Sequence, residues 1–101
     1  MAFICEIPAV STVLVDDARV RATRWDFAPG ATTGFHEHAM DYVVVMMTDA
    51  TMEAEVDGQV TQVKRTAGQT YSRLAGIKHD VRNAGETAMA FIEIEVKADR
   101  P

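Results

Sequence analysis

Turn-forming residues recur along this chain, every eight to ten residues from Asp49 onward, and that spacing constrains the fold more than any other feature. They are Pro29-Gly30, Asp49-Ala50, Asp57-Gly58, Ala67-Gly68, Ala75-Gly76 and Asn83-Ala84-Gly85. Segments that short hold one β-strand each, and no convincing helical periodicity runs through them. Residues 11–15 and 20–27 are β-branched or alternating, and residues 41–48 (DYVVVMMT) read as a buried strand. Residues 51–56 alternate, with Met52, Ala54 and Val56 on one face and Thr51, Glu53 and Glu55 on the other. Asp57-Gly58 signals a two-residue hairpin into a return strand over residues 59–65. Residues 88–96 alternate again, with Ile92, Ile94 and Val96 expected inward and Glu93 and Glu95 outward. Residues 31–37 are too irregular to assign, and residues 98–101 look frayed. Many short strands at this spacing predict an all-β sandwich or barrel, as one domain over residues 1–101.

The chain carries 48% hydrophobic and 25% charged residues, an ordinary globular balance. Its longest apolar stretch is strand-sized, so no membrane span is expected, and the N-terminus lacks the pattern of a signal peptide. A cytoplasmic location follows as the default. The formal charge of −5 speaks against nucleic acid as a partner. The single cysteine, Cys5, has no partner for a disulfide or a C-x-x-C site and reads as a small hydrophobe in an N-terminal strand.

All three histidines fall where a three-imidazole metal site needs them. His36 and His38 are spaced H-x-H, which on a strand places both rings on one face about 6–7 Å apart. His79 lies in a second patterned segment, residues 76–83, and from a neighbouring strand it would complete a triangular face. Imidazole suits iron, zinc, copper and nickel alike.

Over residues 30–83 the chain resembles the cupin superfamily. The motif G-(x)5-H-x-H is met by Gly30, His36 and His38, and the motif G-(x)5-P-x-G-(x)2-H-(x)3-N by Gly68, Gly76, His79 and Asn83. Leu74 stands in place of the motif's proline, and Asp49 in place of the glycine that closes the first motif at residues 30–49. The run from residue 36 to residue 45 is similar to that of small single-domain cupins, some of them linked to β-alanine degradation. The resemblance implies an antiparallel jelly-roll barrel and one divalent transition metal held by His36, His38 and His79. Iron is the expectation for an enzyme, with zinc and nickel open. It also implies a fourth ligand, a glutamate at position 42 or 43, where this chain has Tyr42 and Val43. A three-histidine site, a site with an unusual fourth ligand and a lapsed site all stay open.

Tyr42 shares strand parity with the histidines and is the candidate catalytic group, as a neutral donor, a phenolate ligand or a packing residue. Asp41 has the opposite parity and is a weaker ligand candidate; Glu37 should face solvent. Candidate substrate contacts are Arg24, Trp25, Tyr71, Arg73 and Phe91, with Phe35, Met40 and Met46 as further wall residues. Either arginine can grip a carboxylate with two parallel hydrogen bonds. Asn83 is expected to fix a turn. The functional expectation is a metal-dependent enzyme on a small organic acid, oxygenase ahead of isomerase or lyase. A non-catalytic ligand-binding barrel and a purely structural metal are the alternatives. Small cupins also pair to cover strand edges, so a homodimer is expected.

Overall fold

In the computed structural model, residues 7–97 are described. Cys5 and residues 98–101 lie outside them. Nine strands follow in chain order: β1 (Val10–Asp16), β2 (Val20–Phe27), β3 (His36–Glu37), β4 (Asp41–Met46), β5 (Ala50–Val56), β6 (Gln59–Arg65), β7 (Thr70–Arg73), β8 (Lys78–Asn83) and β9 (Met89–Val96). They form a five-stranded sheet in the order β1-β2-β9-β4-β7 and a four-stranded sheet in the order β3-β8-β5-β6. Every strand pair is antiparallel, which makes the fold an antiparallel jelly-roll barrel, as the turn spacing predicts.

One core fills the barrel. Phe27, Tyr42, Val44, Met46, Met52, Val81, Met89 and Phe91 are buried, and the rings of Phe27 and Phe91 pack at 5.4 Å between centroids. Met46, expected as a pocket wall, is part of this core at 1% exposure. The hairpin between β5 and β6 turns at Asp57 (φ 52°) and Gly58 (φ 77°). Two positive φ values in succession are the mark of a type I′ turn, whose twist suits a two-residue hairpin.

The face assignment on β5 holds: Met52, Ala54 and Val56 together line one cavity. Glu55, on the other face, is nonetheless buried at 2% exposure, and its carboxylate accepts a hydrogen bond from the Gly58 amide at 2.8 Å. One expectation about strand faces is corrected. On β9 the parity is inverted. Phe91, Glu93 and Glu95 share the face that lines internal cavities, and Ile92 and Ile94 take the other face. Between β2 and β4, β9 has both faces partly covered, so its isoleucines need no place inside the barrel.

The unassigned segment also acquires a structure. Thr32 makes single bridges to Pro8 and to Arg82, and the Thr33 amide donates to the Val81 carbonyl at 2.9 Å. Gly34, at φ 82°, then bends the chain so that His36 lands directly opposite His79 in the β3–β8 register.

Candidate metal centre

Cross-strand pairing and strand parity bring the three imidazoles together. His36 faces His79 across the β3–β8 ladder, and His38 follows two residues on, tied by its backbone to Ile77 and Gly76. The Nε2 atoms of His36 and His38 are 3.0 Å apart, as are those of His38 and His79. His36 Nδ1 lies 2.7 Å from the Gly34 carbonyl. A carbonyl can only accept, so Nδ1 carries the proton and Nε2 presents a bare lone pair. A single proton on His38 Nε2 can then satisfy one of its two neighbours and never both. A cation between the three nitrogens satisfies all of them.

The spacing also discriminates between coordination geometries. Ligands bound at about 2.0–2.1 Å stand about 2.8–3.0 Å apart on adjacent octahedral corners, against about 3.3–3.4 Å on a tetrahedron. Both observed separations match adjacent octahedral corners. Burial, followed by the electrostatic influence of His36 alongside, holds His38 and His79 down to about 4, so both rings are neutral and able to ligate at neutral pH. The donor set therefore fits a divalent transition metal.

Tyr42 is buried and its ring stacks on His38 at 3.9 Å between centroids. Burial, then the Glu93 carboxylate, pushes its phenol upward, which disfavours a phenolate ligand and leaves a neutral hydroxyl. Asp41 is exposed and accepts a hydrogen bond from the Ala75 amide at 2.7 Å, away from the triad. Glu37 faces solvent as expected. Asn83 ties down its turn by donating to the Phe27 and Thr87 carbonyls and accepting from the Gly85 amide.

Space surrounds the triad on two sides. A cavity of about 230 Å³ is lined by His79, Tyr42, Tyr71, Arg65, Arg73 and aliphatic side chains. A wider one, about 480 Å³, is lined by His36, His38, Trp25, Arg21, Met40, Glu93 and Glu95. They share no lining residue, and a space of about 30 Å³ bounded by Trp25, Tyr42, Phe91 and Glu93 lies between them. Of the expected substrate contacts, Trp25, Tyr71, Arg73 and Phe91 thus line these spaces, and the buried Trp25 indole N–H has no hydrogen-bond partner.

Arg24 does not reach the site. It lies on the opposite face of β2 from Trp25, in an ion pair with Asp26 at 3.1 Å that holds its guanidinium outside the barrel. Phe35 is likewise turned outward at 52% exposure, since Gly34 redirects the chain ahead of it. Two residues escaped the sequence reading. Arg65 lies 4.0 Å over the Tyr71 ring, with Arg73 also over that ring at 4.6 Å. Its parity with Thr61 and Val63, which line the same cavity, was the available signal. Glu93 places Oε2 3.9 Å from His38 Nε2. Burial, and then the adjacent Glu95 charge, raises its carboxyl to about 7, so the contact is not an ion pair at neutral pH. Parity with Phe91 would have revealed it.

Comparison with known proteins agrees with this architecture. The cupin domain family matches residues 23–95. The β-alanine degradation protein BauB of Pseudomonas aeruginosa is 48% identical over 89 residues, covering 88% of this chain and 94% of that protein. A cupin domain from Bordetella pertussis superposes with a TM-score of 0.89 at 41% identity, covering 95% of this chain and all of the other. A double-stranded β-helix protein from Klebsiella pneumoniae shares the fold alone, with a TM-score of 0.76 at 18% identity over 99% of this chain and 86% of that one. Both histidine motifs, the nine-stranded jelly roll and these matches lead to one conclusion: the chain belongs to the cupin family.

Proposed function

We propose that this cupin is a metal-dependent enzyme acting on a small organic acid, with oxygenation favoured over isomerisation or elimination. The observation that carries the reading is the convergence of three imidazoles, with the His38 Nε2 atom 3.0 Å from that of His36 and from that of His79, at a place bordered by open space. A divalent transition metal held there supplies Lewis acidity and, if it is iron, a route to dioxygen chemistry. A structural metal would be closed off by protein on every side, and the cavities beside this triad favour a working site.

The chain's own groups divide the remaining tasks. Arg65 and Arg73, held by the Tyr71 ring, put two positive charges on an otherwise aliphatic cavity that reaches His79. That combination suits a short molecule with an anionic end and an apolar body. The Pseudomonas relative is named for β-alanine degradation, and a short carboxylate is the class we propose here. Tyr42, fixed against His38, keeps its hydroxyl protonated and serves as a hydrogen-bond donor to the bound acid. The proposed working form is a cytoplasmic homodimer.

The test is metal content of protein purified without an affinity tag or added metal, beside a His36→Ala/His38→Ala variant. Stoichiometric iron lost in the variant, with oxygen consumption on short carboxylates, is the expected result. Bound metal with no turnover of any acid would favour a ligand-binding barrel. Equal, negligible metal in both proteins would overturn the reading.

A further inference from the structure

The first cupin motif places its ligand glutamate on the strand that here carries Tyr42 and Val43, and neither side chain replaces it. The neighbouring strand carries carboxylates instead. In the β4–β9 register Glu95 lies opposite Tyr42 and Glu93 opposite Val44. Their surroundings differ. Glu95 has Arg21 at 3.7 Å, whereas no hydrogen-bond donor or cationic side chain among the described residues reaches Glu93. Yet Glu93 is only 12% exposed, borders the same small space as His36 and His79, and directs Oε2 toward His38 Nε2.

A carboxylate taken out of water needs a compensating positive charge. Three neutral imidazoles cannot provide it; a divalent cation among them can. The 3.9 Å separation exceeds that of two ligands sharing one metal by about an ångström, and Glu93 groups with His38 and Glu95 rather than with all three histidines, so ligation requires its side chain to turn toward the triad.

We propose that Glu93 is the carboxylate ligand of this metal site, supplied from β9 in place of the missing glutamate on β4. The proposal rests on the metal reading above. It lowers the net charge of the loaded centre by one and leaves fewer positions open to substrate.

Cobalt(II) binding to the chelator-treated protein tests it, followed by competition with a chelator and by the visible absorption of the bound ion. Four proteins are compared: wild type, Glu93→Gln, Glu95→Gln and His38→Ala. Glu93→Gln is expected to weaken cobalt binding by at least about tenfold and to alter the absorption bands, with Glu95→Gln within about twofold of wild type and unaltered in spectrum. Should Glu93→Gln fail to fold, as judged by its thermal melt, Glu93→Asp replaces it and is expected to weaken binding in the same way. Wild-type affinity and spectrum in the Glu93 variant, alongside lost binding in His38→Ala, would overturn the Glu93 assignment and leave the three-histidine site intact. No cobalt binding by the wild type, or full binding by His38→Ala, would overturn both.

Discussion

Two imidazoles and one carboxylate at the centre pull the stability of the metal-free protein in opposite directions as pH changes. His38 and His79 titrate near 4 in the folded chain against an ordinary 6.5. Between those values the unfolded chain binds protons that the folded one does not, so their contribution is lost as pH falls from 6.5 towards 4. Glu93 titrates near 7 against an ordinary 4.5, so its contribution is present below 4.5 and lost as pH rises through 7. In the metal-free state, Glu93→Gln should therefore raise the melting temperature at about pH 8 and leave it nearly unchanged at about pH 4.5. Thermal melts of chelator-treated wild type and variant at the two pH values decide this, and equal shifts at both would refute it. The residues involved were unevenly legible. The histidines announce themselves because H-x-H parity and one further motif leave each a single face to occupy. Glu93 was hidden by the assumption that isoleucine points inward, which fails on a strand covered on both faces. Arg24 and Arg73 look alike in sequence, and only the nearby Asp26 separates the ion-paired residue from the one at the cavity.

Among the elements, the two-residue strand β3 does more for the site than its length suggests. It is held by backbone hydrogen bonds on both sides of the bend at Gly34, from Thr33 to Val81 before it and between His38 and Ile77 after it. The Gly34 carbonyl is also the acceptor that sets the His36 tautomer. A Cβ at Gly34 would meet no atom within 4 Å, but the φ of 82° is strained for any L side chain. Gly34→Ala is expected to cost about 1–2 kcal/mol, a melting shift of about 5–15 °C for a domain of this size. A shift below about 2 °C in the metal-free protein would show that the bend relaxes without strain. Strand positions elsewhere were readable from alternation and from turns such as Asp57-Gly58, whose positive φ values only a few residue types adopt. Residues 31–37 were not, because their pairing partners lie more than twenty positions away and no local periodicity encodes them.

At the scale of the whole molecule, β1 stands apart. It forms one edge of the five-stranded sheet, all seven of its residues are exposed, and a register shift interrupts its pairing with β2 between Val13 and Val15. Val10, Val13, Leu14 and Val15 are each 46–61% exposed, an apolar stretch that an edge strand seldom leaves uncovered. The proposed homodimer would cover it. Leu14→Lys with Val13→Glu should then convert a dimer into a monomer by light scattering without loss of fold, and an unchanged mass would place any interface elsewhere. The barrel interior carries a different consequence. A small space lined by His36, His79 and Tyr42 lies between the cavities on the two sides of the histidines, so the triad has two approaches. On the function proposed above, an acid seated beside His79 would leave the route past His36 and His38 clear for a small second reactant. Neither would have to wait for the other, and the order of arrival would be free.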